Sequence, residues 1–199
     1  MDVFLLRHGQ TPGNAEKRYI GRTDEPLSDE GKAAASASGT FSDVKTVYIS
    51  PMLRARQTAE LLFPDAEKLV LNDLREMDFG DFEGRSAAEM VNDPAYRAWV
   101  DGQCLAPCPG GEDMEGFSRR VNEAFLSAVR DAEKRGEKTL VIVAHGGTVM
   151  SVLSHYDEPE HRYYAWFSEN CRGWRCKLTH ADGGIRLSDY AYMSELEFT

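Results

Sequence analysis

Thr139 to Gly147 reads T-L-V-I-V-A-H-G-G, and Val3 to Gly9 reads V-F-L-L-R-H-G. Each is a short apolar run without polar alternation, closed by a histidine and a glycine. Such a run predicts a strand covered on both faces, as in the middle of a parallel sheet. Two strands of this kind also predict that His8 and His145 emerge at the same edge of that sheet, because parallel strands gather their C-terminal ends on one side.

Outward from these runs, strands alternate with helices. Pro12, Gly13 and Asn14 predict irregular chain after the first strand. Ser28-Asp29-Glu30 offers an N-cap and an acidic first turn for a helix reaching about Ser38. Val44 to Ile49 predicts a second strand. Ser50-Pro51 then caps a helix with Pro at its first position, carrying Leu53, Ala55, Thr58, Ala59 and Leu62. Lys68 to Leu71 is a weaker strand. Glu112 to Arg135 is the longest predicted helix, with Phe117, Val121, Phe125, Val129 and Ala132 on one face and Gly136 to end it. A further helix is predicted over about Thr148 to Ser154. Beyond Glu160 the chain turns aromatic and strand-like, at Tyr163 to Phe167, Trp174 to Thr179 and Ile185 to Tyr190, with a hairpin turn at Gly183-Gly184. The pattern is that of an α/β three-layer sandwich, a mostly parallel central sheet with helices on both faces. No repeat, low-complexity tract or linker interrupts it, so residues 1–199 are expected to form a single domain.

The totals narrow the function. With 42% hydrophobic and 28% charged residues the chain can fill one α/β core. A net charge of −10 disfavours a non-specific nucleic-acid binder or a protein held on an anionic membrane. The N-terminal apolar run is too short for a signal peptide, and no segment has the length of a membrane span, so the cytoplasm is the expected location. Cys104, Cys108, Cys171 and Cys176 form two close pairs, but with three and four intervening residues rather than the usual two of a zinc knuckle, and far apart in the chain. They are read as reduced thiols, and no metal is expected.

Arginine is the second chemical theme. Arg7 precedes His8, and Arg54 lies near the N-terminus of the helix after the second strand, where backbone N–H groups already favour anions. Its planar fork suits phosphate oxygens. Asn14 adds an amide donor, and Gly9 and Gly146 let backbone approach an anion closely. Glu76, in D-L-R-E-M-D-F-G (Asp73 to Gly80), follows the weak strand and can reach the same edge, where a carboxyl group can protonate a leaving alkoxide. Each of these residues alone has a blander reading: a structural histidine, a surface ion pair, a solvated acid. Their joint arrangement carries the inference.

Together the segments L-L-R-H-G-Q-T-P-G-N (Leu5 to Asn14), Y-I-G-R-T-D-E-P-L-S-D-E-G (Tyr19 to Gly31), S-P-M-L-R-A-R-Q-T-A (Ser50 to Ala59), L-R-E-M-D-F-G-D-F-E-G (Leu74 to Gly84) and V-A-H-G-G (Val143 to Gly147) resemble the histidine phosphatase superfamily, the phosphoglycerate mutase-like proteins, in order and from Leu5 to about Ser154. The resemblance implies that His8 is the nucleophile and becomes phosphorylated, that Arg7, Arg54 and His145 hold the transferring group, and that Glu76 is the acid and then the base. It implies phosphate or substrate contacts for Thr11, Asn14, Gly21 and Gly146. It implies no cofactor and no metal. Gln10, where the family often has Glu or Asp, and Gly13, where it often has a bulky residue, depart from the pattern at the rim.

Within the family, mutases resemble this chain less than phosphatases do. Mutases carry a longer basic insertion after the Glu block, whereas Arg85 and Arg97 are the only basic residues between Gly84 and Cys104. P-G-G-E (Pro109 to Glu112) opening a helix with Arg119 and Arg120 resembles the α-ribazole-phosphate phosphatases, which usually show Ser at the position of Asp113. The expected partners are a small phosphorylated metabolite and inorganic phosphate as product, with a homodimer allowed for. Phosphoglycerate mutase activity and a non-catalytic phosphate-binding module are the competing readings. Trp99, Trp166 and Trp174 are read as core or lid packing, Arg172 and Arg175 as solvated surface, and His155, His161 and His180 as incidental.

Overall fold

In the computed structural model, which describes residues 1–156, 163–181 and 183–198, the two apolar runs are the neighbouring strands β1 (Asp2–Arg7) and β4 (Thr139–Ala144). They pair in parallel, Leu5 opposite Ile142 and Arg7 opposite Ala144. The next residue on each strand is therefore a histidine. β2 (Thr46–Ile49) and β3 (Glu67–Val70) extend the sheet in parallel on the β4 side. β5 (Gly173–Ala181) and β6 (Gly184–Met193) close the other side as an antiparallel hairpin, giving the order β3-β2-β4-β1-β5-β6.

Period-two alternation divides β1 between two cores. Val3 and Leu5 face the side covered by α5 (Met114–Lys134) and α6 (Gly146–Tyr156), with Phe117, Val121, Phe125 and Val152. Phe4 and Leu6 face α2 (Asp29–Ala37) and α3 (Leu53–Leu62), with Ala35, Ala55, Ala59 and Leu62. Phe198 joins the second core, its ring 4.8 Å from Phe4 and 4.5 Å from Phe41. The helices following β1 lie on one face and the helix following β4 on the other. The C-terminal ends of these adjacent strands thus form a crevice, the usual ligand position of an open α/β sheet.

Four local expectations need correction. Pro12–Ala15 is a one-turn helix, α1, because Thr11 Oγ1 accepts from Asn14 N–H while Asn14 Oδ1 accepts from Thr11 N–H, a reciprocal cap that irregular chain would lack. Ser50 does not cap α3: the helix starts at Leu53 from Met52, without a side-chain cap, because Ser50 is drawn to His145. Tyr163–Trp166 is a turn of 3₁₀ helix rather than a strand. The helix at 146–156 begins directly after His145, two residues before the expected Thr148. The short helix α4 (Pro94–Asp101), capped by Asp93, had no sequence expectation.

Among the described residues, no helix is long and apolar enough to cross a membrane. The four cysteines are free thiols, Cys171 and Cys176 buried in different cores. Trp166 is core, and Arg172 and Arg175 bond to Ser38 and Asp2 rather than lining the crevice. His161 lies outside the described residues.

Candidate active site

The strand ends deliver His8 and His145 to each other, their ring centroids 5.1 Å apart at 67°. His8 is 4% exposed and His145 fully buried. His8 Nδ1 lies 2.6 Å from the carbonyl oxygen of Gly9, which can only accept, so Nδ1 carries the hydrogen and Nε2 keeps its lone pair. His145 is fixed by the opposite arrangement. Its Nδ1 accepts from Arg54 Nε at 3.3 Å, which leaves Nε2–H to donate to Ser50 Oγ at 2.7 Å.

Burial, and after it the charges of Arg54 and Arg7, hold the His8 pKa well below the usual histidine value. Burial and Arg54 do the same for His145. Both rings are therefore neutral in the fold, while an unfolded chain takes up protons below about pH 6.5. The stability these rings contribute is full above that pH and is lost as pH falls toward their folded values, by up to about 1.4 kcal/mol per pH unit for each. Thermal melts between pH 7 and 5 are expected to show a falling Tm, with a slope shallower by one histidine's share in His8→Ala. Parallel slopes for the two proteins would mean that His8 titrates normally in the fold.

Arg7 leaves β1 with Nη1 donating to Ser168 O at 2.8 Å and its guanidinium 5.8 Å from the Phe167 ring centroid. Its Nε is buried without a hydrogen-bond partner, and the residue lines the cavity. Asn14 Oδ1 accepts from Thr11 N–H and from Asn170 Nδ2, which leaves its NH₂ for the cavity. Gly146 opens the first turn of α6, whose dipole favours an anion there. Gly147 must be glycine for Glu76 to enter: a Cβ would lie 2.3 Å from Glu76 Oε1. Glu76 Oε2 accepts from Gly147 N–H at 3.0 Å and Oε1 from Met77 N–H at 3.0 Å.

These groups share one cavity of about 280 Å³. His8, Arg7, Asn14, Glu76 and Gly146 line its polar end, and Tyr19, Phe79, Trp99, Tyr163, Tyr164 and Phe167 supply much of the rest. Trp99 is thus both packed and cavity-lining. His145, Arg54, Thr11 and Gly21 stand behind the wall. Arg54 is fully buried, with Nη1 bonded to Thr23 O at 2.7 Å and Nη2 to Gly21 O at 2.9 Å. Gly21 thus holds the arginine by its carbonyl. Thr11 caps α1 and so orients Asn14.

Sequence reasoning missed three contributors. Ser50 looked like a helix cap. Asn170 Nδ2 donates both to His8 O and to Asn14 Oδ1, tying two site residues together, and no motif surrounds it. Tyr163, whose hydroxyl donates to Gly147 O at 3.2 Å, was read into a strand.

An α/β sheet whose strand ends bring a neutral histidine, an arginine and a carboxyl group onto one cavity is the class of structure this site defines. Residues 3–191 match the histidine phosphatase superfamily, branch 1, and the chain belongs to it. It is 36% identical over 161 residues to the adenosylcobalamin/alpha-ribazole phosphatase of Salmonella typhimurium, covering 77% of each chain. It is 30% identical over 173 residues to the 2,3-bisphosphoglycerate-dependent phosphoglycerate mutase of Methylocella silvestris, covering 78% of this chain and 81% of that one. Among solved structures, the alpha-ribazole phosphatase of Shigella flexneri superposes with a TM-score of 0.77 at 25% identity over 94% of each chain.

Proposed function

We propose that this protein is a phosphomonoesterase that works through a phosphohistidine on His8 and takes esters whose organic part carries an apolar ring. The observation that carries the reading is the orientation of His8: the Gly9 carbonyl fixes the hydrogen on Nδ1, and Nε2 is left as a neutral nucleophile. The Nε2 lone pair attacks phosphorus and the bond from phosphorus to the ester oxygen breaks. Glu76 gives its proton to the departing oxygen. Water then loses a proton to Glu76 and attacks the phosphorus, the P–N bond breaks with its electron pair returning to Nε2, and inorganic phosphate leaves. The Arg7 guanidinium, the Asn14 amide and the start of α6 are the groups we assign to the equatorial oxygens, with Arg54 adding positive charge from behind.

The substrate class follows from the far end of the cavity. Aromatic and thioether side chains dominate it, and among the described residues its cation besides Arg7 is Arg18, already paired with Glu16 and Glu89. Arg85 is paired with Asp93. A second carboxylate or phosphate would find no unpaired cation among these, which weighs against phosphoglycerate, whereas a ring would bury its faces on Trp99 and Tyr19. The alpha-ribazole phosphatase relatives support the same reading, and α-ribazole 5′-phosphate is the substrate we propose to try first.

The test is a panel of α-ribazole 5′-phosphate, 3-phosphoglycerate and an activated aryl phosphate, assayed for phosphate release with a chelator present. Burying a ring is worth about 2 kcal/mol, so kcat/KM for the ribazole ester should exceed that for phosphoglycerate by about 10- to 100-fold. Preference for 3-phosphoglycerate, or mutase exchange outpacing release, would remove the ring-bearing class.

A further inference from the structure

The P-G-G-E segment and the arginine pair of α5 were singled out in the sequence, yet neither touches the phosphate end of the cavity. We propose that Arg120 and Glu112 form a clasp that positions Glu76 for proton transfer, an inference that rests on the reading of Glu76 as the acid.

All five N–H donors of Arg120 are used. Nη1 donates to Asp73 O at 2.9 Å and Arg75 O at 2.8 Å, and Nη2 to Glu76 O at 3.0 Å. Nε and Nη2 make a bidentate pair with Glu112, at 2.6 and 2.7 Å. One side chain thus grips the carbonyls of three of the four residues from 73 to 76, ending on Glu76 itself. Glu112 grips the other side of the same loop, with Oε2 accepting from Asp78 N–H at 3.1 Å and its own N–H donating to Asp78 O at 2.9 Å. The backbone is drawn in so closely that a Cβ on Gly111 would lie 2.4 Å from Asp78 O. The guanidinium also lies 4.9 Å from the ring centroid of Phe117, a wall of the cavity beside Gly147. The charges of this pair are mostly shielded from solvent, at 11% and 24% exposure. They hold the backbone on both sides of Glu76, while Gly147 N–H fixes its carboxylate. Arg120 is a positioning residue: a small displacement of this loop moves the proton donor off the leaving oxygen.

The leaving group separates this role from general structural support. A nitrophenolate departs without a proton, whereas a sugar or alkyl alkoxide needs one, and kcat/KM reports the step in which it leaves. Arg120→Lys is expected to lower kcat/KM for an alkyl phosphate by about 10- to 100-fold and for p-nitrophenyl phosphate by less than about 3-fold. Added to Glu76→Gln, it should cost little more, because both act on one proton transfer. Glu112→Gln keeps one acceptor oxygen and should show a milder form of the same selective loss, so it carries the comparison if Arg120→Lys does not fold. Equal losses on the two esters, or losses that multiply with that of Glu76→Gln in folded protein, would overturn the clasp. If Glu76→Gln alone slows both esters equally, the acid reading itself fails and takes the clasp with it.

Discussion

His8→Ala is expected to remove turnover on every ester, by on the order of 10⁴-fold or more, while leaving a folded protein. The carboxylate and the second imidazole around His8 are already engaged. Glu76 has both oxygens tied to backbone N–H groups, and His145 lies behind the wall with its two ring nitrogens engaged by Arg54 and Ser50. The fold should tolerate the change because the His8 side chain meets the cavity, so its removal enlarges an existing opening rather than creating a void in the core. Two measurements check this. Phosphate release should vanish, and radiolabel carried on wild-type protein after alkaline quench should be absent from the variant. A P–N bond survives alkali and is hydrolysed in acid, so the label on wild type should also be lost on acidification. A folded His8→Ala protein that still turns over would place the nucleophile elsewhere.

Much of this site was readable because it depends on strand ends. An apolar run specifies a central strand, and the residue after it is delivered to the ligand edge whatever the loops do. His8 and His145 therefore faced each other on paper before they did in space. Arg7 and Glu76 followed by the same logic. What could not be read were contacts whose reason lies in another part of the chain. Ser50 before Pro51 has the local signature of a helix start, and local signatures do not know that a buried imidazole 95 residues away needs an acceptor. Asn170 ties β1 to α1 from a loop with no periodicity. Tyr163 to Trp166 has strand-like composition, but its apolar side chains are used on the cavity wall and against Trp174, and a 3₁₀ turn presents them there. Arg54, read as a phosphate ligand, puts three N–H groups on the carbonyls of Thr23, Ile20 and Gly21 and a fourth on His145 Nδ1, because a guanidinium taken fully out of water must meet acceptors wherever they are.

That burial makes Arg54 the residue whose loss should be felt in two ways at once. Arg54→Met removes the donors to Thr23 O and Gly21 O and the partner of His145 Nδ1, leaving buried acceptors without hydrogens. The expected cost is about 1–3 kcal/mol of stability, the range for leaving buried neutral acceptors without a donor. The second effect is electrostatic. Arg54 stands first among the charges that keep His8 unprotonated, after burial itself. Without it the His8 pKa rises, so activity should be lost at a higher pH than in wild type as the solution is acidified. The transferring phosphoryl group also loses a positive field, for which a decrease of about 10²- to 10³-fold in kcat is expected. Arg54→Lys separates the two contributions. A lysine retains the charge but cannot reach Thr23 O, Gly21 O and His145 together with one ammonium, so stability should fall while the acid limb stays near its wild-type position. Melts and pH–rate profiles of the two variants decide the matter. An acid limb that does not move in Arg54→Met, in protein shown to be folded, would mean that burial and Arg7 keep His8 neutral and that Arg54 serves the site only by holding the 20–23 segment and His145 in place.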